Sequence, residues 1–370
     1  MKKKMTKLVK NKLLQFISNR HRNNETHLHE LTYLFWECTR RCNLNCLHCG
    51  SDCASSVSTP DIPFEDFLKA ILPIKEKYKP DSITVAITGG EPLLRKDLPR
   101  CGITLRKHGF HWGIVTNGYE YTPDVHGSLL GSGMESITLS LDGLEPAHNW
   151  LRADKRSFDR AVKALELITS TGRLIYDVVT CVNRQNINEL EQLKDFLIER
   201  QVKAWRLFTI WPIGRAANNN ELRLTPEQLK RLMDFIVHTR ADTRIHTTLS
   251  CEAYVGKYER NVRDTFFFCR AGINIASVLI DGSISACPNI NRSFIQGNIY
   301  QDMFLDVWEN RFQKMRNRKW TKVGKCLHCG DYRNCLGGAM HLWNEKTEDI
   351  MTCIHQQLLE ASSEKPKIKA

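Results

Sequence analysis

Residues 42–49 read CNLNCLHC, which sets Cys42, Cys46 and Cys49 in a Cys-x3-Cys-x2-Cys triad. Three thiolates on one short loop can hold three irons of a [4Fe–4S] cube and leave the fourth iron without a protein ligand. The competing reading is a structural zinc site, which closes with four ligands. Cys38, His48 and Cys53 stand close enough in sequence to supply a fourth. The loop alone leaves both readings open.

Outward from the loop, apolar runs alternate six times with helix-length amphipathic segments. The strand candidates are 32–36, 82–88, 112–116, 136–141, 176–181 and 205–210; the helical segments between them are 64–78, 97–108, 124–131, 157–171 and 187–200. Repeated βα units imply a parallel sheet with right-handed crossovers. Six units predict an α/β fold, a partial (βα)6 TIM-like barrel, whose functional groups belong at the C-terminal ends of the strands. The motifs obey that rule. The cysteine loop follows the first strand, Gly89-Gly90-Glu91-Pro92 the second, Asn117-Gly118 the third and Asp142-Gly143 the fourth, and Pro212-Ile213-Gly214-Arg215 follows the sixth.

The remainder of the chain is consistent with an ordinary soluble globular protein: 370 residues, 42% hydrophobic and 25% charged. No apolar run approaches the ~18 residues of a membrane-spanning helix, so no transmembrane segment is expected. Fourteen cysteines without a signal peptide argue against a secreted disulfide scaffold. They predict reduced, metal-binding thiols in a cytoplasmic protein. The net charge of +12 is partly local, because residues 1–22 hold eight Lys or Arg and no acid precedes Glu25. Val9, Leu13, Phe16 and Ile17 fall at helical spacing, which predicts a short basic amphipathic helix over 7–18. Such a helix either meets an anionic membrane surface or an acidic partner, or packs its apolar face on the main domain. Nucleic acid is disfavoured, since no aromatic-interleaved basic stretch or binding motif accompanies the charge.

At the predicted barrel mouth, Gly89 and Gly90 allow backbone to approach a ligand closely. Their carbonyls and the Glu91 carboxylate can accept from an ammonium group, and Pro92 holds the turn. Ser140 alternates with Leu139 and Leu141 at a strand end, so its side chain can face the barrel interior. Arg152 is able to fork onto a carboxylate.

Together CNLNCLHC, TGGEPLL and the SLDG turn resemble the radical S-adenosylmethionine (SAM) superfamily, and the later cysteines resemble its SPASM subgroup. The subgroup includes sulfatase-maturating enzymes, the pyrroloquinoline-quinone maturase and peptide thioether synthases; similar proteins act on tetrapyrroles. A weaker likeness is to bacterial members encoded beside a lipoprotein. The resemblance covers about residues 30–357. It implies Cys42, Cys46 and Cys49 as ligands of a SAM-binding [4Fe–4S] cluster. It further implies Gly89, Gly90, Glu91 and Pro92 as the methionine-binding turn, Ser140 and Arg152 as contacts to ribose and carboxylate, and Ile213 as an adenine contact. An electron donor of flavodoxin or ferredoxin type follows from the same likeness.

In the family's auxiliary domain, Cys269, Gly282 and Cys287 fit the opening pattern, and Cys326, Cys329 and Cys335 fit the next, with Cys353 as the last lone cysteine. The resemblance implies one auxiliary [4Fe–4S] cluster on Cys326, Cys329, Cys335 and Cys353. A second would need four thiolates, but Ile275 and Ala339 replace two of them. Cys251, His341 or a substrate group can make up the number, and no spacing favours any. Ligand count therefore predicts about eight irons per chain, one cube in each of two sites. Cys38, Cys53, Cys101, Cys181 and Cys251 read as packing residues. Pro288 stands where sulfatase-maturating relatives carry an aspartate, which argues against formylglycine formation.

The reading divides the chain into a basic segment (1–29), a core barrel (30–220), a bridging helix and linker (221–264), a SPASM-like iron–sulfur domain (265–357) and a lysine-rich tail (358–370). The expected activity is reductive cleavage of SAM to a 5′-deoxyadenosyl radical, followed by hydrogen abstraction from a peptide or protein. The alternatives are a tetrapyrrole-modifying enzyme and, in another class, a non-catalytic metal-binding adaptor for an acidic partner.

Overall fold

A computed structural model describes residues 2–344 and 349–362, with side chains from Leu13 onward. The lysine-rich end of the tail, and the side chain of Val9 in the basic stripe, lie outside what is described. In chain order the first half comprises α1 (Lys2–Leu28), β1 (Tyr33–Glu37), α2 (Phe64–Ile71), β2 (Thr84–Thr88), α3 (Leu98–Lys107), β3 (His111–Thr116), α4 (Pro123–Gly131), β4 (Ser136–Ser140), α5 (Glu145–Arg152) and α6 (Ser157–Thr169). There follow β5 (Ile175–Val182), α7 (Leu190–Glu199), β6 (Ala204–Thr209), α8 (Pro226–Thr239), β7 (His246–Leu249), β8 (Ile275–Val278), β9 (Ser283–Ser285) and β10 (Gly297–Asn298). Helices α9 (Phe304–Asn310), α10 (Gln313–Arg316) and α11 (Tyr332–Cys335), the hairpin β11 (Trp343–Asn344) and β12 (Asp349–Ile350), and α12 (Ile354–Ala361) complete the chain.

The six expected strands form consecutive parallel neighbours β1 to β6. Alternation sets the two faces. Leu34 and Trp36 of β1 turn outward to the helices, and Trp36 lies flat on Phe67 of α2, with ring centroids 4.5 Å apart, under the Arg95 guanidinium. Tyr33 and Phe35 turn the other way, into the lumen. There Asp177 of β5 accepts from Thr138 of β4 (2.7 Å) and pairs with Arg206 of β6 (2.7 Å).

Several expectations are corrected. The stretch 221–264 is more than a bridge: after α8 it adds a seventh parallel strand, β7, beside β6. The other barrel edge is also occupied, because β8 pairs parallel with β1 and carries β9 and β10 antiparallel beyond it. The auxiliary region thus continues the barrel sheet. The helix expected over 64–78 stops at Ile71 and tightens into a 3₁₀ turn around Pro73, which has no N–H to continue it. Helix α12 crosses the boundary set at 357 and packs on α8, so the tail does not begin at 358.

The N-terminal helix is longer than 7–18, and it does not dock through its apolar stripe. Leu13, Phe16 and Ile17 are exposed. Polar side chains fasten it instead: Arg22 donates to the carbonyls of Asn334 (2.9 Å) and Arg333 (2.8 Å), and Asn19 to the Asn334 side chain (3.2 Å). Asn274, beside β8, donates to Glu25 (3.2 Å). Among the described residues no helix is long and apolar enough to cross a membrane.

Candidate active site

The cysteine loop leaves β1 and is clamped from three sides. Cys42 N–H donates to Ala54 (2.9 Å) and Leu47 N–H to Leu151 (2.9 Å). From the second-strand turn, Gly90 N–H reaches Thr39 (2.6 Å) and Glu91 N–H reaches Arg41 (2.8 Å). A Cβ on Gly89 or Gly90 would fall 2.2 Å from the Thr39 carbonyl or 2.1 Å from the Arg41 carbonyl. The two glycines therefore make room for the backbone of the cluster loop itself, not first for a ligand as expected. Gly214 works likewise, at φ +57° against the carbonyls of Cys49 and Gly50.

Arg215, quoted in the sequence motif without a role, is the third clamp. Its guanidinium donates to the carbonyls of Cys46 (2.8 Å) and Cys53 (2.8 Å) and pairs with Asp52 (3.0 Å). Arg215→Ala removes all three contacts, a loss of about 2 kcal/mol once water replaces them, or roughly thirtyfold in loop order. Iron at the loop is expected to pass to an anaerobic chelator correspondingly faster, and an unchanged release rate would exclude the clamp.

Glu91 is fully buried, and its carboxylate is already taken by protein donors. It accepts from the Thr116 hydroxyl (2.7 Å), Asn117 N–H (2.8 Å) and Leu93 N–H (3.2 Å). Burial pushes its pKa up to about 7 against the pull of these donors. Its role is to bind the second-strand turn to the third, so only the turn's carbonyls remain for an ammonium group. Pro92 is buried behind it. Asn117 in turn donates to Asn43 (2.9 Å) and points at the Cys42 sulfur (3.8 Å). Tyr119 packs among Cys42, Leu44, Cys46 and Cys53, with Arg156 and Arg160 over its ring. The NGY string after the third strand was the available signal for both residues.

Arg152 also has a partner inside the protein. Its Nε donates to Asp142 (2.6 Å), and its Nη1 faces the Cys46 sulfur (3.7 Å). Burial alone would raise the Asp142 carboxyl, but Arg152 together with His48, His148 and the Cys181 N–H brings its pKa below the usual range. Asp142 further accepts from Cys181 N–H (2.8 Å). Its carboxylate, His48 and the Cys181 thiol bring their ligand atoms within 4.8 Å of one another. His48 is thereby turned toward the barrel. Ser140 stands half-buried at the end of β4 on the lumen face, and Ile213 is half-buried beside the loop.

The donor set fits an iron–sulfur cube better than zinc. Sulfurs on a tetrahedral ion with ~2.3 Å bonds stand about 3.8 Å apart. Among the described residues, no three cysteine thiols gather within 4.8 Å. Yet the loop thiols feel one another: burial, then Glu91 and the neighbouring thiols, push Cys42 up to about 11 against one backbone donor. Thiolates so placed require a cationic group to be stable. Cys53 N–H donates to the Cys49 sulfur (3.4 Å), which marks Cys53 as a neighbour of the site rather than simple packing. Cys38 and Cys101 are buried in the core.

In the auxiliary region the structure brings together Cys326, Cys329, Cys335 and Cys353. Burial and then the charges of Cys353 and Cys329 push Cys326 up to about 12. Cys335 is raised by burial and by all three others. Leu336, Gly337 and Gly338 all take left-handed φ just past Cys335 and reverse the chain there. Cys251, which the sequence had assigned to packing, lies near enough to Cys269 and Cys287 for their charges to be felt. Ala339 is buried, and Ile275 opens β8.

A parallel barrel with a three-thiolate loop at the C-terminal ends of its strands defines a class, and comparison with known proteins gives the family. Residues 36–197 match the radical SAM superfamily, and residues 269–330 match the iron–sulfur cluster-binding SPASM domain. The chain is 32% identical over 310 residues to the mycofactocin maturase MftC of Mycolicibacterium smegmatis, across 83% of this chain and 77% of that one. It is 25% identical over 320 residues to the AdoMet-dependent heme synthase of Methanosarcina barkeri, across 82% and 89%. The structure of Streptococcus suis SuiB bound to the precursor peptide SuiA shares the fold, with a TM-score of 0.69 at 18% identity over 91% of this chain and 79% of that one. The chain belongs to the radical SAM superfamily, among the members that carry a SPASM domain. It is an enzyme whose cofactors are SAM and iron–sulfur clusters.

Proposed function

We propose that this enzyme is a peptide maturase. The observation that carries the reading is a cleft of about 400 Å³ beside the barrel mouth. Ile210, Trp211 and Pro212 after β6 form one wall, Leu224 and Leu229 another, and Thr352, Ile354 and Gln357, on either side of Cys353, a third. Apolar and aromatic walls with Arg184 and Arg223 at the rim suit an extended peptide bearing acidic groups. The maturase relatives support the same substrate class.

In this reading Cys42, Cys46 and Cys49 hold the SAM-binding cluster, and Cys326, Cys329, Cys335 and Cys353 hold an auxiliary one. When bound, the cluster would supply the electron for reductive cleavage of SAM, and with it the hydrogen-abstracting chemistry that acts on the substrate. The carbonyls of Gly89 and Gly90 accept the SAM ammonium, Ser140 meets the ribose and Ile213 the adenine. Arg152, held by Asp142, presents its remaining N–H groups to the SAM carboxylate. A flavodoxin- or ferredoxin-type donor and a cytoplasmic location complete the proposal.

The test is anaerobic reconstitution followed by mass spectrometry of substrate and 5′-deoxyadenosine. Acidic peptides are expected to change mass with matching 5′-deoxyadenosine. The heme synthase relatives favour a second reading, a tetrapyrrole substrate. Turnover of a porphyrin with every peptide inert would select it.

The basic end of α1 is proposed to recruit the acidic substrate or an anionic membrane surface. Arg22 and Asn19 secure the segment carrying Cys335, so a truncation must stop short of them. Removing residues 1–17 is expected to spare substrate-free SAM cleavage and raise the apparent KM several-fold. Added salt should abolish that difference as the screening length falls below ~8 Å. An unchanged KM at low salt would mean that the charge is only a solvated face.

A further inference from the structure

We infer that Arg22 of α1 donates its Nε–H to the Cys335 sulfur and so raises the reduction potential of the auxiliary cluster. This rests on the reading that Cys326, Cys329, Cys335 and Cys353 hold that cluster. In sequence Arg22 belongs to the basic segment ahead of the barrel. The fold carries it across a separation of 311 residues onto the stretch that ends in Cys335.

Arg22 is only 8% exposed, so its charge has been taken out of water at a cost. Both terminal nitrogens are spent on backbone: Nη1 donates to the Asn334 carbonyl (2.9 Å) and Nη2 to that of Arg333 (2.8 Å). This fork fixes the guanidinium beside the two residues that run directly into Cys335. The remaining nitrogen, Nε, is buried and has no hydrogen-bond partner. Among the described residues no carboxylate pairs with Arg22.

A small cavity of about 20 Å³ adjoins Arg22, room for one water and no larger ligand. Cys335 and Cys269 bring sulfur to its wall, and Arg316 and Arg318 line it too. Every guanidinium nitrogen of those two arginines is engaged. Arg318 donates to the carbonyls of Met315 (3.1 Å), Gly338 (2.8 Å) and Cys269 (3.3 Å). Arg316 donates to those of Gly272 (3.0 Å), Glu309 (2.8 Å) and Trp308. The Thr26 hydroxyl, on the same wall, already donates to the Arg22 carbonyl (2.8 Å). Arg22 Nε therefore carries the guanidinium N–H that this cavity leaves uncommitted.

A buried donor without an acceptor requires a partner to account for it. A neutral thiol accepts weakly, whereas a thiolate on iron is a strong acceptor for a charged donor. Cys335 is the sulfur next in sequence to the carbonyls that hold the guanidinium. Donation from a cation to a cluster sulfur favours the reduced, more negative state and raises its potential. The N-terminal helix is then part of the auxiliary site, and its polar fastening serves the chemistry there.

Redox titration of the reconstituted full chain, followed by electron paramagnetic resonance, separates the clusters, because added SAM alters the spectrum only of the one it binds. Arg22→Leu is expected to lower the potential of the SAM-insensitive cluster by about 59 mV, tenfold in its one-electron equilibrium, and to leave the other unmoved. Arg22→Lys keeps the charge without the Nε donor and should give part of that shift. It decides the matter if the leucine variant fails to retain iron. Asn19→Ala loosens the same helix by removing its contact with Asn334 (3.2 Å) and should give no shift. Unmoved potentials in the Arg22 variants, or an equal shift in Asn19→Ala, would overturn the inference while the auxiliary cluster stands. A chain without any SAM-insensitive signal would instead remove the cluster reading, and this inference with it.

Discussion

Replacing Cys42, Cys46 and Cys49 together by Ala is expected to remove about four irons per chain and all 5′-deoxyadenosine formation, leaving the auxiliary iron in place. The separation follows from which elements hold which sulfurs. The loop is clamped by the turns after β2 and β6 and by Leu151, all on the barrel. The Cys326 group is held elsewhere. Tyr332 donates to the Arg318 carbonyl (2.7 Å), the Thr321 hydroxyl to that of Leu336 (3.2 Å), and Arg22 of α1 closes over Asn334. Nothing in that scaffold needs the loop thiols. Iron and sulfide assays, spectra of the reduced protein and chromatography of 5′-deoxyadenosine read the outcome. Residual SAM cleavage in the triple variant would sink the assignment of the loop.

What the sequence showed and what it hid divide by the range of the interaction. Strands β1 to β6 were legible because each carries its own apolar run, and the motifs were legible because they follow those strands directly. Strand β7 was not. Its HTTL run is short and polar, and it becomes a strand because β6 offers an unpaired edge. The pairing of β8 with β1 likewise depends on two stretches some 240 residues apart. Short-range spacing recognised the triad and the GGEP turn, yet misjudged what the turn does. Besides the local Leu93 N–H, Glu91 is held by Thr116 and Asn117, and Gly90 packs on the backbone of Thr39, Arg40 and Arg41, groups that follow other strands. The role of Arg215 stayed hidden for the same reason, since its partners Cys46, Asp52 and Cys53 lie more than 160 residues away in sequence. In α1 the pattern misled in the opposite sense: an apolar stripe is visible, but hydrogen bonds from Asn19 and Arg22 decide which face docks.

Arg152→Leu is expected to destabilise the barrel by about 3–5 kcal/mol, because it strands the fully buried Asp142 carboxylate without its charged partner. That carboxylate is fully buried, and its other neighbours are the Cys181 N–H and thiol and His48, which burial keeps neutral. Removing both charges should cost much less, so the double variant Arg152→Leu, Asp142→Leu is expected to recover most of the loss. Lysine at 152 keeps the charge but cannot fork between Asp142 and a second carboxylate, and should fall between. Unfolding of the iron-free, reduced protein measures these differences, and equilibrium binding of SAM to the reconstituted protein measures the rest. If Arg152 served the fold alone, the double variant would regain SAM binding along with stability. Because its remaining N–H groups are proposed to meet the cofactor carboxylate, the double variant should be stable and still bind SAM at least tenfold more weakly, about 1.4 kcal/mol. Binding restored with stability would assign Arg152 to the buried pair and remove it from the cofactor site.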